Sequence, residues 1–272
     1  MARHQKTPKW LQAARLRQGA PAADWLVRAL GRAGVLPQHQ AEEALRSGRI
    51  KLDGRVVREG LTPVTADSRV TLDGRDVSLV AVTRVLALHK PAGVVTAVSD
   101  TEKIGTVFDV LFQALPSELH SYTWHAVGRL DRDTTGLLLF TNDEQFVAYA
   151  TSPDSHLPKT YVARVSGQVT EEKLKRLSTG VELDDGPTLP AEATQPEKNV
   201  VQLVLTEGRN HQVKRMLNVV GLPTLQLHRE AVGSYAIDVP EGQVRELTET
   251  EIETRLRYVP RQRRREGAPE GA

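Results

Sequence analysis

From Thr83 to Val220, short apolar runs of strand length alternate with amphipathic helical stretches, but no regular strand–helix–strand repeat runs through them. Val85–Leu88 reads as a strand that enters a turn at His89–Gly93 and continues into Val94–Val98. Leu137–Thr141, Tyr161–Ser166 and Val200–Thr206 read as further strands. Gly105–Leu115 places Val107, Val110, Leu111 and Leu115 on one helical face, and Glu144–Thr151, Glu171–Thr179 and Asn210–Val220 also read as helices. A doubly wound parallel sheet needs a regular βαβ alternation. The irregular interleaving predicts an α+β domain with a mainly antiparallel sheet flanked by helices.

The segment before it has a different texture. Trp25, Leu26, Ala29 and Leu30 recur at helical spacing from Asp24 until Gly31 and Gly34 interrupt, and a second helix is expected over Gln40–Ser47. Ile50–Val57 and Val70–Val77 each alternate around an Asp-Gly pair, which is a hairpin signal. A length of 272 residues suggests about two domains at about 150 residues each. The expected organisation is a basic extension over residues 1–22 with Trp10 as its large anchor, a small α/β module over 23–82, the α+β domain over 83–255, and a basic tail over 256–272.

Net charge is +2, but it is unevenly distributed. Residues 1–60 carry 12 basic and 5 acidic side chains, residues 61–255 carry 19 and 27, and residues 256–272 carry 5 and 2. Basic ends around an acidic body suit a polyanion-binding protein, although the same bias also describes a solubilising surface. Cysteine is absent, which removes disulfides, zinc ribbons and thiol nucleophiles. No apolar run reaches the ~18 residues of a membrane helix, and the first ten residues have no apolar signal core. A cytoplasmic protein with no membrane partner is expected. Phosphate-loop, H-E-x-x-H, G-x-S-x-G and dinucleotide fingerprints are missing, and the eight histidines lack ligand spacing. The expectation is a reaction with no cofactor and no metal.

The densest chemical segment is Gly128-Arg129-Leu130-Asp131-Arg132-Asp133-Thr134-Thr135-Gly136, a charged turn set against the apolar run Leu137–Phe140. An ionised Asp131 beside apolar surface, with Arg129 and Arg132 near it in sequence, could act as a nucleophile or an acid/base group. An Asp-Thr-rich turn whose side chains cap its own backbone fits the same residues. Asp133 suggests a paired-carboxylate glycosidase, but such pairs normally come from separate elements; a turn cap is its expected role.

Gly128–Asp131 followed by Thr134–Leu139 resembles the signature of RNA pseudouridine synthases, specifically the ribosomal small-subunit branch. Lys159-Thr160-Tyr161-Val162 is similar to that family's Lys-x-Tyr strand, and Glu207–Met216 to its Glu-Gly-Arg-x-x-Gln-Val-Lys/Arg-Arg helix start; Leu227–Glu230 and Gly233 continue the likeness. Helix, helix and hairpin in the basic first module, above all Gly48–Val57, resemble the ribosomal-protein-S-four-like RNA-binding module. The resemblance spans residues 24–252. It implies a cofactor-free isomerisation of uridine with Asp131 as nucleophile, on ribose or on base. Lys214 would be the counter-ion of Asp131, and Tyr161 would stack on the uracil and take its ring proton. Arg129 would hold the flipped nucleotide. Arg209, Arg215 and Arg229 would line a local basic cleft, and Arg49, Lys51 and Arg55 would bind RNA from the first module. His125 and His211 would be structural or RNA-contacting. The implied partner is ribosomal RNA or a ribosomal particle, met by a monomer. Small-subunit (16S) rRNA is favoured, with large-subunit (23S) rRNA as the alternative and a non-catalytic assembly factor as a third reading.

Overall fold

The computed structural model describes residues 24–65, 67–97 and 104–259. The extension over residues 1–22, with Trp10, and the charged run from Arg261 onward lie outside the described residues. Those described fall into two compact units.

The first unit comprises residues 24–82 together with Glu118–Thr123. Helices α1 (Leu26–Arg32) and α2 (Gln38–Arg46) pack on a four-stranded antiparallel sheet, through a core of Leu26, Leu30, Ala41, Leu45, Ile50 and Val70. A two-residue strand β1 (Asp24–Trp25) precedes α1 and pairs with β4 (Pro63–Val64), so Asp24 and Trp25 are extended rather than helical. In the sheet, β2 (Ile50–Leu52) turns into β3 (Arg55–Val56), and β5 (Val70–Leu72) turns into β6 (Arg75–Val77). Asp53 and Asp73, followed by Gly54 and Gly74, take the left-handed conformation that a two-residue hairpin turn requires. Helix α2 begins two residues earlier than its apolar pattern indicates, after Pro37, and the Thr123 hydroxyl accepts from the Gln38 backbone N–H at 3.1 Å.

The second unit contains Thr83–Ser117 and residues 124–259. Its main strands are β7 (Val85–Lys90), β9 (Thr135–Thr141), β10 (Lys159–Val165), β13 (Glu192–Glu197), β14 (Val200–Leu205), β15 (Thr224–Val232) and β17 (Val244–Glu246), with short β8 (His125–Ala126) and β16 (Tyr235–Ala236) at the side. The order is β13-β14-β10-β15-β9-β7-β17. All of these pairings are antiparallel except β15 with β9, where His228 faces Thr135 and Arg229 faces Gly136. A separate hairpin joins β11 (Glu182–Leu183) to β12 (Gly186–Pro187).

Helices α5 (Glu171–Thr179) and α6 (Gln212–Val219) cover β10 and β14 through Ala163, Leu177, Leu203, Met216 and Leu217. Helices α4 (Glu144–Thr151) and α7 (Glu249–Arg255) cover β7 and β9 through Ala87, Leu139, Phe146 and Ile252. Helix α3 (Val107–Ala114) starts in a capping box made by Thr106 and Asp109. After the turn at His89–Gly93 the chain does not resume a ladder. Val95 makes only an isolated bridge with Thr106.

Helix α7 is tied to the sheet by Arg245, which bonds Asp238 and Glu251. The Arg245 hydrogen bond, with that of the Thr248 backbone, holds the Glu251 carboxyl at a pKa of about 2, against 4.5 for a free glutamate. A depressed carboxyl pKa contributes stability that is complete above the unfolded value and is lost as pH falls through the folded one. Thermal melts should therefore show an acid loss between about pH 4.5 and 2 that is smaller in Glu251→Gln, by on the order of 1–2 kcal/mol after solvent screening. An identical acid limb in the variant contradicts this.

Candidate active site

Asp131 sits in the loop that enters β9, and that loop is fastened from several sides. The Thr96 hydroxyl donates to the Leu130 carbonyl at 2.9 Å. The Gly93 N–H donates to the Arg132 carbonyl at 2.8 Å, and the Thr134 N–H to the Asp131 carbonyl at 3.1 Å. Lys90, fully buried at the end of β7, gives its ammonium to the carbonyls of Pro91, Arg132 and Thr134 at 2.9, 3.2 and 2.8 Å. Burial pushes the Lys90 pKa down to about 8, opposed by the charges of Asp133 and Asp131. A loop held this way keeps its carboxylate within a narrow range of positions before any substrate arrives.

Lys214 comes from α6, 83 residues away in sequence, and its Nζ lies 3.0 Å from Asp131 Oδ2. Both side chains are only 26 % exposed, so water screens the pair weakly. The same ammonium lies 2.6 Å from Asp133 Oδ1. Asp133 is therefore a second partner of Lys214, where a turn cap was expected. Burial alone would lower the Lys214 pKa, but the hydrogen bonds it donates to Asp133 and Asp131 outweigh it and hold the amine above its ordinary value. Lys214 in turn holds the Asp133 carboxyl below its usual range.

His211, read from sequence as structural or RNA-contacting, places Nε2 at 3.3 Å from Asp131 Oδ1. Each carboxylate oxygen of Asp131 thus has a cationic or imidazole neighbour. His211 reaches this point because its backbone is left-handed (φ 49°, ψ 28°) at the cap of α6. The turn before it is closed by Glu207, a buried carboxylate that accepts from Gln212 at 2.6 Å and from the Leu189 N–H at 2.9 Å.

Tyr161, on β10, lies opposite Arg229 of β15 and lines the same cavity as Asp131, about 460 Å³ in volume, together with Arg129, Lys159, His211 and Arg229. The other expected cations are differently occupied. Arg209 is spent on Glu207, the Gly186 carbonyl and the Pro187 carbonyl. Arg215 makes a two-pronged pair with Asp185 at 2.9 and 3.0 Å. Arg229 is 5 % exposed and donates Nε to the Leu137 carbonyl at 2.7 Å. In the first unit Arg49 pairs with Asp73, while Lys51 and Arg55 are exposed on neighbouring strands. His125 lies 3.9 Å from Glu144.

Sequence reasoning passed over Lys90 and quoted Lys159 only as part of a motif. A lysine closing the apolar run Val85–Leu88 just before Pro91 was an available signal. Among the described residues no cluster of three or more His, Cys, Asp or Glu could hold a metal, and no helix is long and apolar enough to cross a membrane.

Residues 84–219 match the family described as RNA pseudouridylate synthase. The chain is 35 % identical over 241 residues to the ribosomal large subunit pseudouridine synthase B of Bacillus subtilis, covering 86 % of this chain and 96 % of that one. It is 35 % identical over 212 residues to the ribosomal small subunit pseudouridine synthase A of Yersinia pestis, covering 76 % and 88 %. A solved structure described as a pseudouridylate synthase superposes with a TM-score of 0.58 at 31 % identity, over 84 % of this chain and 98 % of that one.

Proposed function

This chain belongs to the RNA pseudouridylate synthase family, and we propose that it isomerises uridine to pseudouridine in ribosomal RNA, with Asp131 as the nucleophile. The observation that carries the proposal is the Asp131 carboxylate paired with Lys214 at 3.0 Å, beside a cavity that Tyr161 also lines. Conversion of uridine breaks the N1–C1′ bond and forms a C5–C1′ bond. The ring loses its C5 proton and N1 gains one, so nothing is oxidised or reduced. Lys214 is the counter-ion against which the Asp131 carboxylate is oriented. Tyr161, which lines the same cavity, would stack on the detached ring and accept the C5 proton. Arg129, on the loop, would hold a nucleotide turned out of its stack, since the reacting atoms are unreachable inside a helix.

Two readings of the RNA follow from different observations. The stretches Lys159–Tyr161, His211–Met216 and Leu227–Glu230 favour the small-subunit RNA. The B. subtilis relative, named for the large subunit, matches over more of this chain. Incubating the protein with each rRNA transcript and mapping pseudouridine chemically decides between them. No pseudouridine in either overturns the proposal.

The first unit we read as an S-four-like RNA-binding module that recruits this substrate. Arg49 is neutralised by Asp73, so Lys51 and Arg55 are its freer cations. Lys51→Ala/Arg55→Ala should lower the slope of log affinity against log salt by roughly 1.5–2, as expected for two lost phosphate contacts. An unchanged slope in filter-binding titrations contradicts this role.

A further inference from the structure

We infer that Lys159 and Arg229 form an anion-stabilising pair that receives the negative charge developing on the pyrimidine ring during the reaction. The inference rests on the uridine-isomerising reading of the site, and it assigns to two residues a role that the Asp131–Lys214–Tyr161 arrangement does not fill.

Both side chains rise from the sheet beneath the cavity. Lys159 opens β10, two residues before Tyr161, and Arg229 lies opposite Tyr161 on β15. Arg229 is 95 % buried, and beyond its Nε bond to Leu137 its guanidinium makes no further hydrogen bond or ion pair among the described residues. Lys159 is half-buried, and its ammonium has no hydrogen-bond or ion-pair partner among the described residues. The carboxylate that shares the cavity, Asp131, already has Lys214 and His211 against its two oxygens. Burial, with Arg229 beside it, pushes the Lys159 pKa down to about 8, so the amine is still mainly protonated at neutral pH.

Two like charges held together at a sheet surface with unspent donors cost stability unless something bound repays them. The repayment must be an anion that reaches the floor of the cavity. A backbone phosphate is bulky and tethered on both sides, and Arg129 on the loop is better placed for it. A flat ring stacked on Tyr161 can bring its carbonyl oxygens to the floor.

The chemistry supplies the charge by either route open to Asp131. If the carboxylate adds to C1′, the electron pair of the N1–C1′ bond leaves with the ring, spread over N1, O2 and O4. If it adds to C6, the C5=C6 pair becomes an enolate over C5 and O4. In both cases the ring is neutral in the bound substrate and anionic afterwards. Preorganised cations aimed at charge that appears only during reaction lower the barrier more than they tighten binding.

Lys159 is the residue to test, because Arg229 also supports the Leu137 carbonyl. With the full-length protein and a transcript it modifies, Lys159→Gln should slow the single-turnover rate at saturating protein by about 10²–10³-fold while RNA affinity stays within about twofold. Lys159→Arg, which keeps the charge, should recover the rate to within about tenfold. A Lys159→Gln rate within threefold of the wild type overturns the inference. So does a loss confined to affinity, with the salt slope reduced by about one, which would make Lys159 a phosphate contact. Equal losses in both variants would mark a packing role and also overturn it. Product from the wild type alongside an undiminished Lys159→Gln rate removes this inference alone. Absence of product from the wild type removes the isomerase reading with it.

Discussion

Asp131→Asn should abolish pseudouridine formation, lowering the single-turnover rate by at least about 10⁴-fold, or roughly 5 kcal/mol of barrier, while the protein remains folded. Asn has the same shape and can still accept a hydrogen bond from Lys214 through its carbonyl. Lys214 also keeps Asp133 at 2.6 Å, so the substitution leaves no orphaned ammonium. The Asp131 loop is anchored by the Thr96 hydroxyl, the Gly93 N–H and the Lys90 ammonium, none of which uses the Asp131 side chain. Loss of this partly exposed pair should cost no more than about 1 kcal/mol of stability. RNA affinity should be close to that of the wild type. A rate within tenfold of the wild type would remove Asp131 from the chemistry. A collapse in melting temperature would make its role structural.

Gly136→Ala should be damaging through the backbone. Gly136 has φ 102°, a region that side chains avoid, and a Cβ there would run into the backbone carbonyl of Arg229. This is the point where β9 and β15 make the parallel pairing of the sheet, five residues after Asp131 and opposite the Arg229 that faces Tyr161. Backbone strain and overlap together should cost on the order of 3–5 kcal/mol, equivalent to a fall in melting temperature of roughly 10 °C or more. Gly186→Ala is the control. Its φ of 104° is nearly the same, but a Cβ there meets nothing within 4 Å. It should lose only the conformational share, about 1–3 kcal/mol. Equal losses in the two variants would mean that the contact with Arg229 is unimportant.

Local signals in the sequence located the elements whose ends are chemically marked. Helices α4 and α5 begin where Asp143 and Thr170 cap them, and both run over the expected residues. The Asp-Gly turns of the first unit fall where the hairpins do. What was not legible lies in the long-range pairing. Strand β15, central in the sheet, mixes Gln226, His228, Arg229 and Glu230 with apolar residues and shows no clean alternation. Its pairings with β10, β9 and β16 impose the extended form. Strand β13 is an edge strand, polar and mostly exposed, with Pro196 within it, so its sequence reads as loop. Helix α7 is short and has Ile252 as its buried residue, which is too little periodicity to detect.

The site divides in the same way. Asp131 stands out in its charged turn as a candidate, but Tyr161 and Lys214 follow only from family resemblance, because 83 residues of chain separate the two members of the ion pair. The second partner of Lys214, the imidazole against Asp131 and the three carbonyls gathered by Lys90 all depend on how the loop closes over β7 and β9, which no local pattern encodes. The Glu207–Gln212 stretch carried two kinds of information at once. Glu207, Arg209 and Gln212 build the turn, while His211 and Lys214, which the turn delivers, face Asp131.

The fate of the C5 hydrogen tests the central claim most directly. Full-length protein incubated with rRNA transcripts carrying tritium at uridine C5 should release one tritium to water for each pseudouridine formed, with the uracil ring retained in the RNA. Release of free uracil, or no tritium release from either ribosomal RNA, would contradict the account.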